Sequence, residues 1–127
     1  LDYDAYYKAV NGQVNDLFYY YREQAALKAR QYQRALDDIV KAVELSPKDL
    51  TYRAEHAVVN LRVGRYEESM KILNEILKDE PKYGEAYRLL GLCQIQLKKT
   101  DEACGNFNKA KELGDPNVDE LIKKYCK

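Results

Sequence analysis

Few side chains in this 127-residue sequence could do chemistry, and their spacing argues against it. There is one histidine, His56. With no second histidine and no nearby Cys or Asp, it supports neither a metal site nor a Cys/His nucleophile pair. It is expected as a packed or surface residue of a helix. Cys93, Cys104 and Cys126 are too few and too widely spaced for a disulfide framework or a cysteine-based zinc site. Their expected state is reduced and mostly buried; one disulfide with one leftover thiol is the alternative in an oxidising compartment. Gly-rich phosphate loops are absent. Asp37-Asp38, Glu67-Glu68 and Asp101-Glu102 fall near expected helix starts, where they complement the helix macrodipole rather than act as a general acid and base. Lys98-Lys99 and Lys123-Lys124, near helix ends, fit the same logic better than a phosphate site. No catalytic residue, metal or cofactor is expected.

Composition narrows the partners. The 21 Lys and Arg balance 21 Asp and Glu, and the pI is near 6.8. Such a chain lacks the cationic excess of most nucleic-acid binders. No apolar run approaches the roughly 20 residues that cross a bilayer, so no membrane insertion is expected. The mean hydropathy is −0.66, yet 46% of residues are hydrophobic, which argues against disorder. The aromatic set is skewed to 12 Tyr, 2 Phe and no Trp, and the first 32 residues hold seven of the tyrosines. Leu1 stands where an initiator Met would, which suggests a processed chain. The compartment is left open: cytoplasmic or, if a signal peptide has been removed, periplasmic or secreted.

The elements that must position these residues repeat. Pro47 and Pro81 are 34 residues apart, and the next step lands on Asp115 beside Pro116. Tyr32 and Tyr66 share that period. So do the small residues Ala35, Ser69 and Ala103, the bulky Ile39, Leu73 and Phe107, and the set Ala42, Ile76 and Ala110. Charge repeats too. Residues 16–49 and 50–83 each hold six acids and six bases, and residues 84–117 hold five of each. Neutrality is therefore local. Apolar residues recur at helical spacing, as in Ala86, Leu89, Leu90, Cys93 and Leu97. Lys98 to Asp101 break that stripe, with Thr100 or Asp101 placed to cap the next helix. Gly64 and Gly114 suit left-handed stops.

A 34-residue period of paired helices with a small–bulky–small pattern resembles the tetratricopeptide repeat (TPR). The third unit matches best, through Tyr87, Leu90, Gly91, Ala103, Phe107 and Ala110. The second keeps Ala57, Ser69, Leu73 and Pro81, and the first keeps Tyr19, Ala35, Ile39, Ala42 and Pro47. The resemblance implies an all-α fold, a right-handed α-solenoid of antiparallel helix pairs. The expected organisation is one TPR domain over residues 1–127. It comprises an N-terminal helical segment (1–15), repeats at 16–49, 50–83 and 84–117, and a C-terminal capping helix (118–127). Asn117 is the expected cap of that last helix, with Leu121, Ile122 and Tyr125 facing inward.

Departures from the pattern mark what is particular to this chain. Arg22-Glu23 stand where the family usually has a bulky apolar and then a small residue. A carboxylate there should find a donor, such as a Tyr hydroxyl or an Arg. Arg53, His56 and Asn60 fall at positions that are usually apolar, which suggests a rotated or looser helix. Tyr3, Tyr6, Tyr7, Val10, Val14, Leu17, Phe18, Tyr21 and Ala25 step by three or four. That spacing favours one long helix through Gly12; the competing reading is a turn at Asn11-Gly12 with Asp16 as N-cap.

The resemblance also implies a concave groove lined by the first helix of each unit. Unit one offers Leu17, Tyr20, Gln24, Leu27 and Lys28. Unit two offers Thr51, Ala54, Val58, Leu61 and Arg62, and unit three offers Glu85, Arg88, Leu92, Ile95 and Gln96. An apolar stripe with a charged rim suggests a protein contact. The family's best-known peptide mode grips a chaperone's C-terminal carboxylate with Lys, Asn and Arg. Here the matching positions hold Tyr20, Gln24, Glu55, Glu85 and Leu89, which argues against that mode. Tyr19 is expected to pack and Tyr20 to be exposed. The function expected is a non-enzymatic interaction module that binds a peptide, helix or protein surface. The alternative is a structural domain that self-associates into a homo-oligomer or docks within a longer protein.

Overall fold

The computed structural model describes residues 14–127. Seven α-helices and no strand occur among them: α1 (Asp16–Lys28), α2 (Tyr32–Leu45), α3 (Leu50–Val63), α4 (Tyr66–Asp79), α5 (Gly84–Gln96), α6 (Thr100–Glu112) and α7 (Asp119–Tyr125). The all-α class and the helix pairs agree with the sequence. Compactness divides the chain into two units at Val63 and Gly64.

The first unit holds α1, α2 and α3. Asn15 is extended, and its side chain accepts the Phe18 N–H at 3.1 Å, so it caps α1. The continuous helix expected through Gly12 therefore does not run into α1, and the cap is Asn15 rather than Asp16. Tyr3, Tyr6, Tyr7 and Val10 lie outside the described residues. Asp49 caps α3 by accepting the Tyr52 N–H at 3.1 Å, a bond of a kind worth about 1 kcal/mol. The core joins Ala26, Ala35, Leu36, Ile39, Ala42, Tyr52 and Val59, with Tyr19, Tyr20 and Leu27 packed against it. The alanines let the helices approach; Ile39 fills the gap and is fully buried.

The second unit holds α4 to α7. Leu73, Ile76, Cys93, Phe107 and Val118 are its large fully buried side chains, with Ser69, Ala86, Ala103 and Ala110 beside them. The Phe107 ring packs directly against Gly91. A Cβ at that glycine would sit 2.6 Å from the ring's Cδ1 and 3.0 Å from its Cζ, so only glycine fits. The short α7 has no buried residue of its own. Leu121, Ile122 and Tyr125 pack its inner side on Phe107 and Val118. A disulfide from Cys104 to Cys126 ties it to α6 and leaves Cys93 as a buried free thiol. The expectation of three reduced cysteines is thus corrected for two of them. Packing α7 back along α6 brings together residues 22 apart in sequence.

The left-handed turn positions Arg30, Gly64 and Lys98 carry the repeat's period. Each ends the first helix of a pair at φ of 59°, 89° and 62°, and only the middle one is glycine. Two capping expectations fail. Lys99 precedes α6 with no side-chain cap, so neither Thr100 nor Asp101 serves. Asn117 donates its N–H to Asp115 at 2.8 Å, and Val118 takes the cap position of α7. The carboxylates Glu67-Glu68 and Asp101-Glu102 do sit in first turns, but Asp37-Asp38 lie inside α2.

Candidate functional site

Helices α1 and α3 run in the same direction, as their side-chain contacts require. Near their starts, the Tyr52 hydroxyl donates to Asp16 at 2.8 Å, and the Ser46 hydroxyl donates to the same oxygen at 3.2 Å. One turn on, the Tyr20 and Tyr52 rings lie 5.2 Å apart. Burial, and then the Asp16 bond, pushes the Tyr52 hydroxyl well above the ordinary tyrosine range. Farther along, this face carries Tyr20, Gln24 and Leu27 from α1, all half-buried, and exposed Lys28. From α3 it carries half-buried Val58 and Leu61 and exposed Arg62. Ala54 is only 3% exposed and packs with the core, so it offers a partner little surface. Tyr20 is less exposed than expected, because its ring packs on the core. Burial raises its hydroxyl pKa, with Glu55 and Glu23 adding to the effect.

The two odd residues of α1 behave differently. Arg22 finds a full set of partners. Its Nε and an Nη atom bond the two Asp38 oxygens at 2.9 and 2.6 Å, and its guanidinium centre lies 5.0 Å from the Phe18 ring centroid. This bidentate pair explains both residues: Asp38 is buried in α2 because Arg22 reaches it. Glu23 is fully buried, and no donor reaches either of its oxygens. The donor expected for it, Tyr or Arg, is therefore missing. The group set against it is the Glu55 carboxyl of α3, which can bond it only when one of the two carries a proton. Burial first, and then Glu55 and Asp38, hold Glu23 far above the ordinary carboxylate range. Among the polar residues of α3, Asn60 packs into the core rather than loosening the helix. Asn60 is buried and donates to the His56 carbonyl at 3.0 Å.

In the second unit the corresponding helix is α5. Arg88 is committed to Asp115 at 2.8 Å, with Glu85 at 3.9 Å. Glu85 in turn accepts the Tyr83 hydroxyl at 2.7 Å. Burial and then that bond raise the Tyr83 pKa. Leu92 and Ile95 are half-buried against the Phe107 core, and Leu89 is buried. Exposed Gln96 accepts from the Tyr66 hydroxyl at 3.5 Å. Burial raises the Cys93 thiol pKa, opposed by a bond with Ser69. An open groove of about 550 Å³ lies elsewhere, over Glu67, Met70, Lys71, Asn74, Glu75 and Lys78 of α4, with Leu97 and Lys99. It mixes both signs of charge on surface side chains, a pattern that sequence periodicity does not single out. Among the described residues, no three His, Cys, Asp or Glu side chains form a group that could hold a metal.

Comparison with known proteins agrees with this geometry. The tetratricopeptide repeat family model matches residues 26–92, more than half of the chain. Heat shock protein STI1 of Saccharomyces cerevisiae is 31% identical over 101 residues, covering 76% of this chain and 17% of that protein. The chain spans less than a third of the length of the first curated relatives it matches. Among solved structures, YrrB, described as a TPR protein with an unusual peptide-binding site, aligns with a TM-score of 0.79 at 21% identity, over 96% of this chain and 63% of that one. The first TPR of Spaghetti (RPAP3), bound to the HSP90 peptide SRMEEVD, aligns with a TM-score of 0.75 at 21% identity, over 87% of each chain. These structures share the fold. With the helix pairs, the small-residue contacts and the matched residues all in agreement, the chain belongs to the tetratricopeptide repeat family.

Proposed function

We propose that this chain is a non-enzymatic protein-interaction module that holds a peptide or short helix of a partner protein. The contact face in the first unit is formed by Tyr20, Gln24, Leu27 and Lys28 of α1 with Val58, Leu61 and Arg62 of α3. In the second unit, Leu92, Ile95 and Gln96 of α5 present a comparable face, with Arg88 at its edge. The observation that carries this reading is the arrangement on α1 and α3: half-buried apolar side chains outside the fully buried set, beside exposed Lys28 and Arg62. Apolar contacts would supply affinity there and the charged edge would supply orientation. The test is capture of partners by the intact chain and by Leu61→Asp and Ile95→Asp variants, with helicity checked by circular dichroism. Folded variants should lose partners that the parent retains. An unchanged set would contradict the reading.

A second reading is self-association. Val14, Leu17 and Leu45 of the first unit are large apolar residues that are 58%, 41% and 52% exposed. Light scattering across micromolar concentrations tests it; a strict monomer throughout removes it.

A further inference from the structure

Helix α7 depends on outside support more than any other element of the second unit. It has seven residues, short of the length at which a helix holds itself together in water. It has no side-chain N-cap bond and no buried residue of its own. Its ion pair, Lys111 with Asp119 at 3.4 Å, joins two exposed side chains and contributes little. Leu121, Ile122 and Tyr125 are only half-buried on the core of Phe107, Ala110 and Val118. The Cys104–Cys126 bond is the one strong tie that holds this helix on α6.

That bond is placed where exchange chemistry can reach it. Both of its cysteines are half-buried, whereas Cys93 is fully buried. Exposed Lys123, Lys124 and Lys127 surround Cys126 in sequence, while exposed Asp101 and Glu102 precede Cys104. An incoming thiolate is therefore drawn to the Cys126 side. Cys93 does not compete: it bonds with Ser69 of α4, and burial raises its pKa, so it supplies no internal thiolate. What α7 covers is apolar. The Tyr125 ring centroid lies 6.4 Å from that of Phe107, and Leu92 and Ile95 of α5 pack on the same cluster.

We propose that the Cys104–Cys126 disulfide is a redox latch, closed when oxidised and opened by a dithiol reductant, that decides whether α7 stays docked. A thiolate of the reductant attacks the Cys126 sulfur, the S–S bond breaks, and Cys104 leaves as a thiolate that takes up a proton. The second thiol of the reductant, as thiolate, then displaces Cys126, which is protonated in turn. Two electrons pass from the dithiol, which ends as a disulfide, to the cysteine pair, which ends as two thiols. The released α7 frays and uncovers Phe107 and Val118, a local opening confined to one end of the second unit. The first unit keeps its own core throughout. The latch stands apart from the peptide-binding reading and does not need it.

The experiment compares the full native chain with and without excess dithiothreitol, in the absence of denaturant. Alkylation and mass spectrometry should find Cys104 and Cys126 opened and labelled while Cys93 stays protected. Hydrogen exchange of the α7 amides should then quicken about 100-fold, the size expected when a cross-link over 22 residues is removed. Amides of α1 to α3 should not change. Emission of the apolar dye 8-anilinonaphthalene-1-sulfonate should rise on reduction and fall again with oxidised glutathione. Cys104→Ser with Cys126→Ser should show the open pattern from the start and ignore dithiothreitol, and Cys93→Ala should respond as the parent does. A bond that opens only after denaturation, or an α7 that keeps its protection once both thiols are free, overturns the latch. Loss of protection through the whole second unit also overturns it, because the bond would then be a staple for folding.

Discussion

The two compact units share the repeat's small-residue packing and one buried Arg–Asp pair each, Arg22 on Asp38 and Arg88 on Asp115, but differ in what is added to it. The second adds shape and covalency: Phe107 on Gly91 and a disulfide on its last helix. The first adds polar ties between helices: the second arm of the Arg22 fork on Asp38, two hydroxyl donors on Asp16, and a tilted contact between the Tyr20 and Tyr52 rings. Polar ties of this kind let the first unit carry a buried acid, Glu23, that an apolar core would reject. The difference suggests that the second unit contributes robustness and the first contributes recognition.

Breaking the fork tests that contrast most severely. Arg22→Met leaves Asp38 buried without a partner and should destabilise the first unit by about 3–5 kcal/mol, read by urea denaturation. The double change Arg22→Met with Asp38→Leu should recover most of that loss. In the second unit, Cys104→Ser with Cys126→Ser opens a 22-residue loop and should cost about 3 kcal/mol. Hydrogen exchange should place the loss in α6 and α7 and leave α1 to α3 unchanged. A loss shared evenly by both units would refute the division of labour.

The repeat was legible because periodicity encodes which face is buried. Ala35, Ser69 and Ala103, and likewise Ile39, Leu73 and Phe107, are all fully buried, and each set was marked by spacing alone. Gly64 and Gly114 adopt the left-handed turns expected of them. What failed depends on register between helices, which no local pattern carries. Asp38 reads as a helix-start charge until α2 is docked on α1 and Arg22 reaches it. The disulfide needs α7 to fold back on α6. Asn117 looked like a cap because of its residue type, but its N–H was taken by Asp115. At the candidate site, Ala54 falls at a groove position of the repeat yet is buried with the core, and Glu23 stands out as a carboxylate at a small-residue position while nothing in the sequence sets Glu55 opposite it.

The acid pair adds a pH dependence. Burial, and then the facing Glu55, holds Glu23 protonated well above the ordinary carboxylate range in the folded state, whereas an unfolded glutamate releases its proton near 4.3. Folding therefore takes up a proton across that window. Stability of the first unit is greatest at the acid end and falls as pH rises, with a slope approaching about 1.4 kcal/mol per pH unit. Glu23→Gln should flatten that slope in pH-dependent urea melts. The smallest effects belong to the turns. Gly64→Ala should cost about 1 kcal/mol, because alanine is strained at φ of 89°. Lys98→Gly relieves a similar strain, but the entropy of glycine offsets it, so the net change should stay within about 0.5 kcal/mol.

The ionisation state of Glu23 tests the account most directly. A carbon-detected NMR titration of its side-chain carboxyl should find the group still protonated at pH 7, with a midpoint far above the ordinary carboxylate range. A midpoint between about 4 and 5 would mean that Glu23 is ionised and satisfied in the folded chain, and the contrast between the two units would fall with it.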